Sequence, residues 1–252
     1  MTGRRHFEAG GAAYAASRPT YPPELARLLV GICAARGHAL DVGCGTGQFS
    51  VLLADHFARV TAVDPSRTQI DNASPRPNIH YTTGAAERFD LADDSVDLVV
   101  AAQAAHWFDL DLFYPETRRV ARPGAILALI TYGVPEFDGG IQAAFDQFYW
   151  QEIHDFWPPD RRHVEEGYAS LPFPFSRGDL PPVAILRDWD FADFTAYVGT
   201  WSATVRAEKA GEGARITEAL ARLEPHWGAA RRQVRWPITV LAGVVDQRPS
   251  LA

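Results

Sequence analysis

Between Leu25 and Tyr132, short continuous apolar runs alternate with stretches whose apolar residues return every three or four positions. Runs of about five apolar residues suit strands covered on both faces, and the helical spacing between them suits crossover connections. This half therefore predicts βαβ units feeding a parallel sheet. A helix is expected over 24–36, opened by Pro22 and Pro23 and closed by Gly37. A strand over 39–42 leads into a glycine turn and a helix over 48–58. The second strand, 59–63, ends at Asp64, and Pro65 and Ser66 open another helix, proline being suited to a first helical turn. Strands follow at 79–83 and 96–102, a helix at 111–120 stopped by Arg122-Pro123-Gly124, and a fifth strand at 125–132.

After Gly133 the texture changes. Phe145, Phe148, Tyr149, Ile153 and Phe156 recur at helical spacing and predict a helix over 141–156. Residues 157–182 are crowded with prolines and read as a long lid or insertion loop. Strand character returns over 183–191, helices are expected over 192–206 and 214–227, and a last strand over 233–245 places Pro237 at an edge or bulge. The expected fold is α/β: a Rossmann-like, doubly wound, seven-stranded, mostly parallel sheet with a C-terminal antiparallel strand and a mostly helical insertion. Its parts are an N-terminal arm and helix covering the cofactor site (1–36), a binding core (37–133), and an insertion with the final strands of the same domain (134–252).

Composition narrows the function classes. The chain has 252 residues, 31 acidic and 24 basic, for a net charge of −7, which argues against a nucleic-acid carrier with its basic footprint. Lys209 is the sole lysine, and the arginine and alanine usage suits a GC-rich bacterial gene. Cys33 and Cys44 cannot build a disulfide framework, and no Cys/His pair has zinc spacing. The first residues lack the apolar core of a secretory signal, and the longest apolar run, Ala125 to Ile130, is far short of a membrane span. A soluble, reduced, cytoplasmic protein with a small-molecule partner, no nucleic acid, no membrane and no metal is expected; oligomeric state is not legible.

The decisive segment is Leu40-Asp41-Val42-Gly43-Cys44-Gly45-Thr46-Gly47-Gln48-Phe49. A strand enters, three alternate glycines turn it, and a helix leaves. Glycine permits positive φ and close approach of a ligand, and the helix start offers unpaired N–H groups, so a nucleotide-like cofactor belongs at this strand's C-terminal end. A dinucleotide fingerprint needs glycine where Gln48 stands, and a phosphate loop needs a Gly-Lys ending that is absent. Asp41 would repel a pyrophosphate but would welcome a cationic amino-acid head. Asp64, 21 residues beyond Gly43, ends the second strand where an acid can accept both ribose hydroxyls; capping the helix that follows is a second role open to it. S-adenosyl-L-methionine satisfies all of this, with S-adenosyl-L-homocysteine as product.

The motif Asp41–Gly47 resembles the first motif of class I S-adenosylmethionine-dependent methyltransferases (the methyltransferase type 11 superfamily), and Val63-Asp64-Pro65-Ser66 resembles their second. Gly84-Ala85-Ala86-Glu87 is similar to the segment bordering adenine, and Asp93-Asp94-Ser95-Val96-Asp97-Leu98-Val99 to the approach to the fourth strand. The run from Ala101 to Asp109, the stretch from Tyr14 to Tyr21, and Thr200-Trp201-Ser202 are similar to a trans-aconitate methyltransferase-like branch. Where many relatives have Asp or Asn to grip the adenine amino group, this chain has Ala85, so adenine is expected to be read by backbone around Ala86 or by Glu87.

The resemblance implies methyl transfer to a small molecule, plausibly O-methylation of a carboxylic acid. Cofactor contacts are expected from Asp41, Gly43, Cys44, Gly45, Thr46, Gly47, Asp64, Pro65, Ala85, Ala86, Glu87, Gln103 and Trp107, with Tyr14 and Arg18 on a flap or, in the plainer reading, a surface arm. His106 is the candidate base; for a carboxylate acceptor, which needs no base, His106 and Arg18 would serve as counter-charges. Trp150, Trp157, Trp201 and Trp236 suit either a substrate cavity or plain core, and Arg231 to Arg235 a solvated strand edge. A non-catalytic S-adenosylmethionine-binding protein shares these motifs, whereas a nicotinamide oxidoreductase is disfavoured by Gln48 and by the lack of a Tyr/Lys pair.

Overall fold

The computed structural model describes residues 18–246; Tyr14 lies outside them. Five parallel strands, β1 (His38–Val42), β2 (Arg59–Asp64), β3 (Ile79–Thr83), β4 (Val96–Ala102) and β5 (Ala121–Tyr132), stand in the order β3-β2-β1-β4-β5. Continuous burial of β1 and β4 follows from their apolar runs, which must be covered on both faces. The last strand, β9 (Arg232–Val244), runs antiparallel beside β5, from Ile126 opposite Val244 to Tyr132 opposite Ile238. Its other side takes β8 (Val183–Trp189). Two-residue strands β6 (Glu136–Phe137) and β7 (Arg177–Gly178) extend the pairing of β9, so the seven expected strands are joined by two short ones. The order reverses between β1 and β4, and the crevice outside their C-terminal ends is where open α/β sheets hold ligands.

Alternate residues of the central strands feed two cores. Leu98 and Val100 join Ala39, Val60 and Ile126 beneath helices α1 (Pro23–Ile32) and α2 (Ser50–Ala54). Val99 and Ala101 join Leu40, Val42 and Leu127 on the opposite face, beneath the helix following β4 (Leu110–Val120). Helix α1 stops four residues before the expected end, because its apolar face ends with Leu29 and Val30 and packing no longer supports the last turn. The helix expected over 48–58 shrinks to the five residues of α2. Between β2 and β3 lies α3 (Arg67–Asp71), capped by the Ser66 hydroxyl; the Leu110–Val120 helix is α4.

The expected single helix over 141–156 is three pieces: α5 (Ile141–Asp146), a π-helical turn (Gln147–Glu152) and a 3-10 turn (His154–Phe156). The stretch 157–182 is not an open lid. It contains α6 (Arg161–Glu165), and Val164, Tyr168, Leu171 and Phe175 are buried in the second core. Prolines there block regular backbone, but the aromatic and aliphatic residues between them still have apolar surface to bury, and they form a wall. The helix expected over 192–206 is broken into α7 (Phe191–Gly199) and α8 (Ser202–Lys209), with Trp201 extended between them and inserted into the first core. Helix α9 (Gly213–Trp227) then leads to β9.

Pro237 sits within β9 opposite Ala184, and its carbonyl accepts from the Gly133 N–H at 3.0 Å. A strand residue points its N–H and C=O the same way, so the missing donor faces the break between β5 and β6, where no ladder partner is lost. The insertion core centres on Phe194, whose ring meets Trp227 at 5.0 Å and Trp201 at 6.3 Å. Phe194→Ala should cost about 3–5 kcal/mol in urea unfolding, while exposed Leu112→Ala should change it by less than about 0.5 kcal/mol.

Candidate active site

The turn after β1 is fastened to β2. Gly43 and Cys44 N–H groups both donate to the Val63 carbonyl, at 2.7 and 3.1 Å, and the Gly45 N–H donates to Asp64 Oδ2 at 2.9 Å. Gly43, Gly45 and Gly47 all have positive φ, at 71°, 55° and 81°. Their surroundings differ. A Cβ on Gly43 would strike the Ala104 methyl at 2.5 Å and one on Gly47 would strike the Tyr81 ring, whereas beside Gly45 there is open space. Two of the glycines let neighbours pack, and the third leaves room for a ligand against bare backbone. Helix α2 has only five residues and so adds little dipole here, and the Gly43, Cys44, Gly45 and Gly47 N–H groups are all bonded within the protein.

Two carboxylates face the turn. Asp41 is wholly buried; Oδ2 accepts from the Ser50 hydroxyl at 2.6 Å, and Oδ1 has no hydrogen-bond partner among the described residues. Burial lifts its pKa to about 7, against the Ser50 hydrogen bond, and the Asp64 charge adds to the rise. Asp64 is nearly buried, which also raises its pKa, against amide hydrogen bonds from Ser66 (2.8 Å) and Gly45. Each of its oxygens therefore keeps one lone pair, enough for a vicinal diol. Ser66, not Asp64, caps α3. Cys44 is buried, its thiol pKa raised by burial; Thr46 is half-buried, and Pro65 is exposed at the start of the helical turn.

The opposite wall follows β3 and β4. Ala86 is buried beside half-buried Ala85, and Glu87 Oε1 accepts from the Asp109 N–H at 3.2 Å. Gln103 turns the chain out of β4 with φ 56°; its amide N–H₂ donates to the Tyr132 carbonyl at 3.2 Å and its Oε1 accepts from Thr131 at 2.6 Å. A non-glycine residue in that region is strained, and these two bonds hold it there. His106 and Trp107 lie on the 3-10 turn that follows, their rings 4.9 Å apart. His106 Nδ1 lies 2.9 Å from the Tyr168 hydroxyl. Burial, then the positive charge of Arg161, pushes the imidazole pKa down to about 3, so the ring is neutral near pH 7. With so low a proton affinity the ring is a weak base and carries no counter-charge near pH 7.

Arg18 enters from the N-terminal side. Nη2 donates to the Thr200 carbonyl at 2.8 Å and Nη1 to the Tyr132 hydroxyl at 3.4 Å, with the guanidinium 5.8 Å from the Tyr197 ring centre. Tyr21 packs edge-on against Phe49 and Tyr132, tying this segment to the end of the glycine turn.

Residues 40–129 match the family model described as a methyltransferase domain. A Dictyostelium discoideum protein named as a methyltransferase is 34% identical over 203 residues, 79% of this chain and 77% of its own length. The chain is a member of the S-adenosylmethionine-dependent methyltransferase family. A solved structure from Anaeromyxobacter dehalogenans, described as a type II methyltransferase, superposes on this methyltransferase with a TM-score of 0.84 at 44% identity, covering 92% of this chain and 99% of that one. The malonyl-[acyl-carrier protein] O-methyltransferase of Serratia marcescens is 34% identical over 116 residues, 45% of this chain and 43% of its own.

In this methyltransferase the glycine turn, Asp41 and Asp64 meet at the adjoining C-terminal ends of β1 and β2, Gly43 lies against Ala104 just past β4, and Gln103 and Arg18 both reach Tyr132 at the end of β5. Sequence reasoning missed Tyr132, Tyr168 and Tyr197. Tyr168 was hidden in a proline-rich stretch, and Tyr132 and Tyr197 read as ordinary apolar positions; nothing local marks them. Among the described residues no helix is long and apolar enough to cross a membrane, and no cluster of His, Cys, Asp and Glu could hold a metal ion.

Asp41 gives the apo protein a pH signature. Between its ordinary pKa of 3.8 and about 7 the folded state holds a proton that the unfolded chain has released, so stability falls as pH rises through that window and levels above about 7. Asp64 acts in the same direction. Thermal unfolding of Asp41→Asn against wild type from pH 5 to 8.5 should show the variant gaining on wild type as pH rises, the gap saturating above about pH 7.5.

Proposed function

We propose that this methyltransferase uses S-adenosylmethionine, bound across the glycine turn, to O-methylate a small carboxylic acid. The observation that carries the cofactor assignment is Asp41 Oδ1, a buried carboxylate oxygen without a partner at the foot of a turn that leaves space beside Gly45. Leaving such an oxygen unsatisfied is costly, and an ammonium group or a water held by one would satisfy it. Asp64 would take the ribose hydroxyls with the two lone pairs its amide bonds leave open. Ala85 and Ala86 would border adenine by backbone, since Glu87 is engaged with the Asp109 amide.

When bound, S-adenosylmethionine supplies a methyl carbon on a positively charged sulfur, taken in line by the acceptor oxygen as the carbon–sulfur bond breaks with its electron pair left on sulfur. A carboxylate is anionic at neutral pH, so no proton has to be removed. That matches the neutral His106, which offers a hydrogen bond and is a poor proton acceptor. Holding the two reactants aligned can supply on the order of 7–11 kcal/mol, and positioning is what the rigid crevice contributes. Arg18 brings a permanent positive charge to the aromatic end of the crevice. Two of the three stretches similar to the trans-aconitate methyltransferase-like branch meet there directly, Arg18 against Thr200. The Serratia relative, an O-methyltransferase named for a malonyl group that ends in a carboxylate, supports an acid acceptor.

Two experiments test this. Calorimetric titration with S-adenosylhomocysteine should show binding by wild type and a loss of about ten- to a hundredfold in Asp64→Ala, the range for hydrogen bonds to a charged group; no uptake by wild type would defeat the cofactor assignment. A methyl-labelled assay over aliphatic and aromatic acids, phenols and amines should give turnover with acids. Turnover confined to phenols or amines would overturn the acceptor class.

A further inference from the structure

Tyr168 is wholly buried in the second core, yet its backbone lies in the left-handed region at φ 61°, directly after Gly167 at φ 57°. A side chain at such a φ is strained. Packing holds the pair on one side, where a Cβ on Gly167 would meet Thr239 Oγ1 at 2.8 Å, and on the other the Tyr168 N–H donates to the His163 carbonyl at 2.6 Å. Apolar cover alone gives no reason to strain the backbone here. What the strained turn achieves is aim: it brings the phenol oxygen to 2.9 Å from His106 Nδ1.

The groups around that oxygen set the direction of the bond. The backbone amides of Ala105 and His106 face it as donors, offsetting part of the rise that burial gives the phenol pKa. Thr131 also lies beside it, with its own hydroxyl proton given to Gln103 Oε1 at 2.6 Å. The phenol proton is left to point at Nδ1, an imidazole nitrogen being a better acceptor than a hydroxyl. A neutral imidazole carries one proton, and accepting at Nδ1 places it on Nε2. Nε2 has no hydrogen-bond partner among the described residues, and it is not sealed from solvent, since His106 is only half-buried. Two residues before His106 stands Ala104, the methyl that a Cβ on Gly43 would strike, so this open nitrogen lies close along the chain to the contact with the glycine turn.

From this geometry we infer that Tyr168 is a positioning residue: its hydroxyl donates to His106 Nδ1, holds the imidazole as the Nε2–H tautomer, and so presents Nε2–H as a hydrogen-bond donor to a carboxylate oxygen of the acceptor. The inference rests on the acid-acceptor reading and adds to it which nitrogen binds the acid and which residue makes that nitrogen a donor. The opposite tautomer would turn a lone pair toward the carboxylate and repel it. A neutral donor also orients the acid without cancelling the negative charge that attacks the methyl carbon.

The test reads the tautomer in the full chain. Long-range proton–nitrogen correlation spectra of nitrogen-labelled wild type near pH 7, with His106 assigned by its loss in His106→Gln, should show the proton on Nε2 and a bare Nδ1. Formate, benzoate or hexanoate added to the S-adenosylhomocysteine complex should shift the His106 Nε2 proton. In Tyr168→Phe the Nδ1 resonance should move toward its protonated position, and the acid that binds best should bind about three- to tenfold more weakly while S-adenosylhomocysteine binds as in wild type. A variant that failed to fold would lose S-adenosylhomocysteine as well, and the wild-type spectra would then decide by themselves. A proton on Nδ1 in wild type, with the phenol proton turned to Thr131, would overturn the inference, as would an Nε2 proton that none of the three acids moves, or a folded Tyr168→Phe with tautomer and acid affinity unchanged. Turnover confined to phenols or amines would count against the acid-acceptor reading, whereas a proton on Nδ1 beside turnover of acids would count against the role of Tyr168 alone.

Discussion

One carbonyl organises the site. Val63 ends its run in β2 by accepting two consecutive amides of the neighbouring turn, Gly43 and Cys44, and the next residue, Asp64, accepts a third from Gly45. Three donors of a turn that would otherwise be floppy and glycine-rich are thus fixed to a central strand. That removes much of the conformational freedom glycine carries. It also explains why Asp64 is oriented without a ligand: two amides set the carboxylate plane before any hydroxyl arrives. Preorganisation of this kind lowers the ordering cost of binding.

Asp41 illustrates the opposite arrangement. Its carboxylate is held where water does not reach, with one oxygen served and one not, and its pKa rises to about 7 as a result. A stable fold by itself would have an apolar residue or a second hydroxyl at that place. Functional sites are where such costs are retained, because the uncompensated group is complementary to something absent from the bare protein. On the proposed reading the glycine turn and Asp41 belong together: the turn makes room beside Gly45, and the acid favours positive charge over phosphate there.

How much of this was legible in the chain depended on whether the information was local. The strands β2, β3 and β4 were readable to the residue or nearly so, because apolar runs bounded by charge and proline leave little choice of ends. The placement of Asp41 and Asp64 beside one turn was readable because both sit at fixed distances from the glycines. The insertion was not. Its helices break where large rings pack into the core, as at Trp201 between α7 and α8, and that is decided by partners about fifty residues away in sequence, such as Phe148 and Tyr149 against Trp201. Proline density in 157–182 correctly excluded long helices but said nothing about burial, and so Tyr168 and Arg161 went unseen. Their significance comes from what they face.

The same contrast bears on how acceptor choice is encoded. On the proposed reading the cofactor half rests on a glycine turn and two acids on adjacent strands, tied to one another by hydrogen bonds. The proposed acceptor half draws on side chains from separate segments, Arg18 before α1 and His106 after β4, with Tyr168 of the insertion bonded to His106. His106 is neutral because the insertion buries it and because Arg161 adds positive charge nearby. The segment that carries Arg161 therefore also holds down the proton affinity of His106, just past β4. An insertion that supplied a carboxylate in place of Arg161 would raise the proton affinity of His106 and turn a hydrogen-bond partner into a workable base. On the proposed reading the two go together: an anionic acceptor needs no base, and the positive charge of Arg161 keeps His106 from being one.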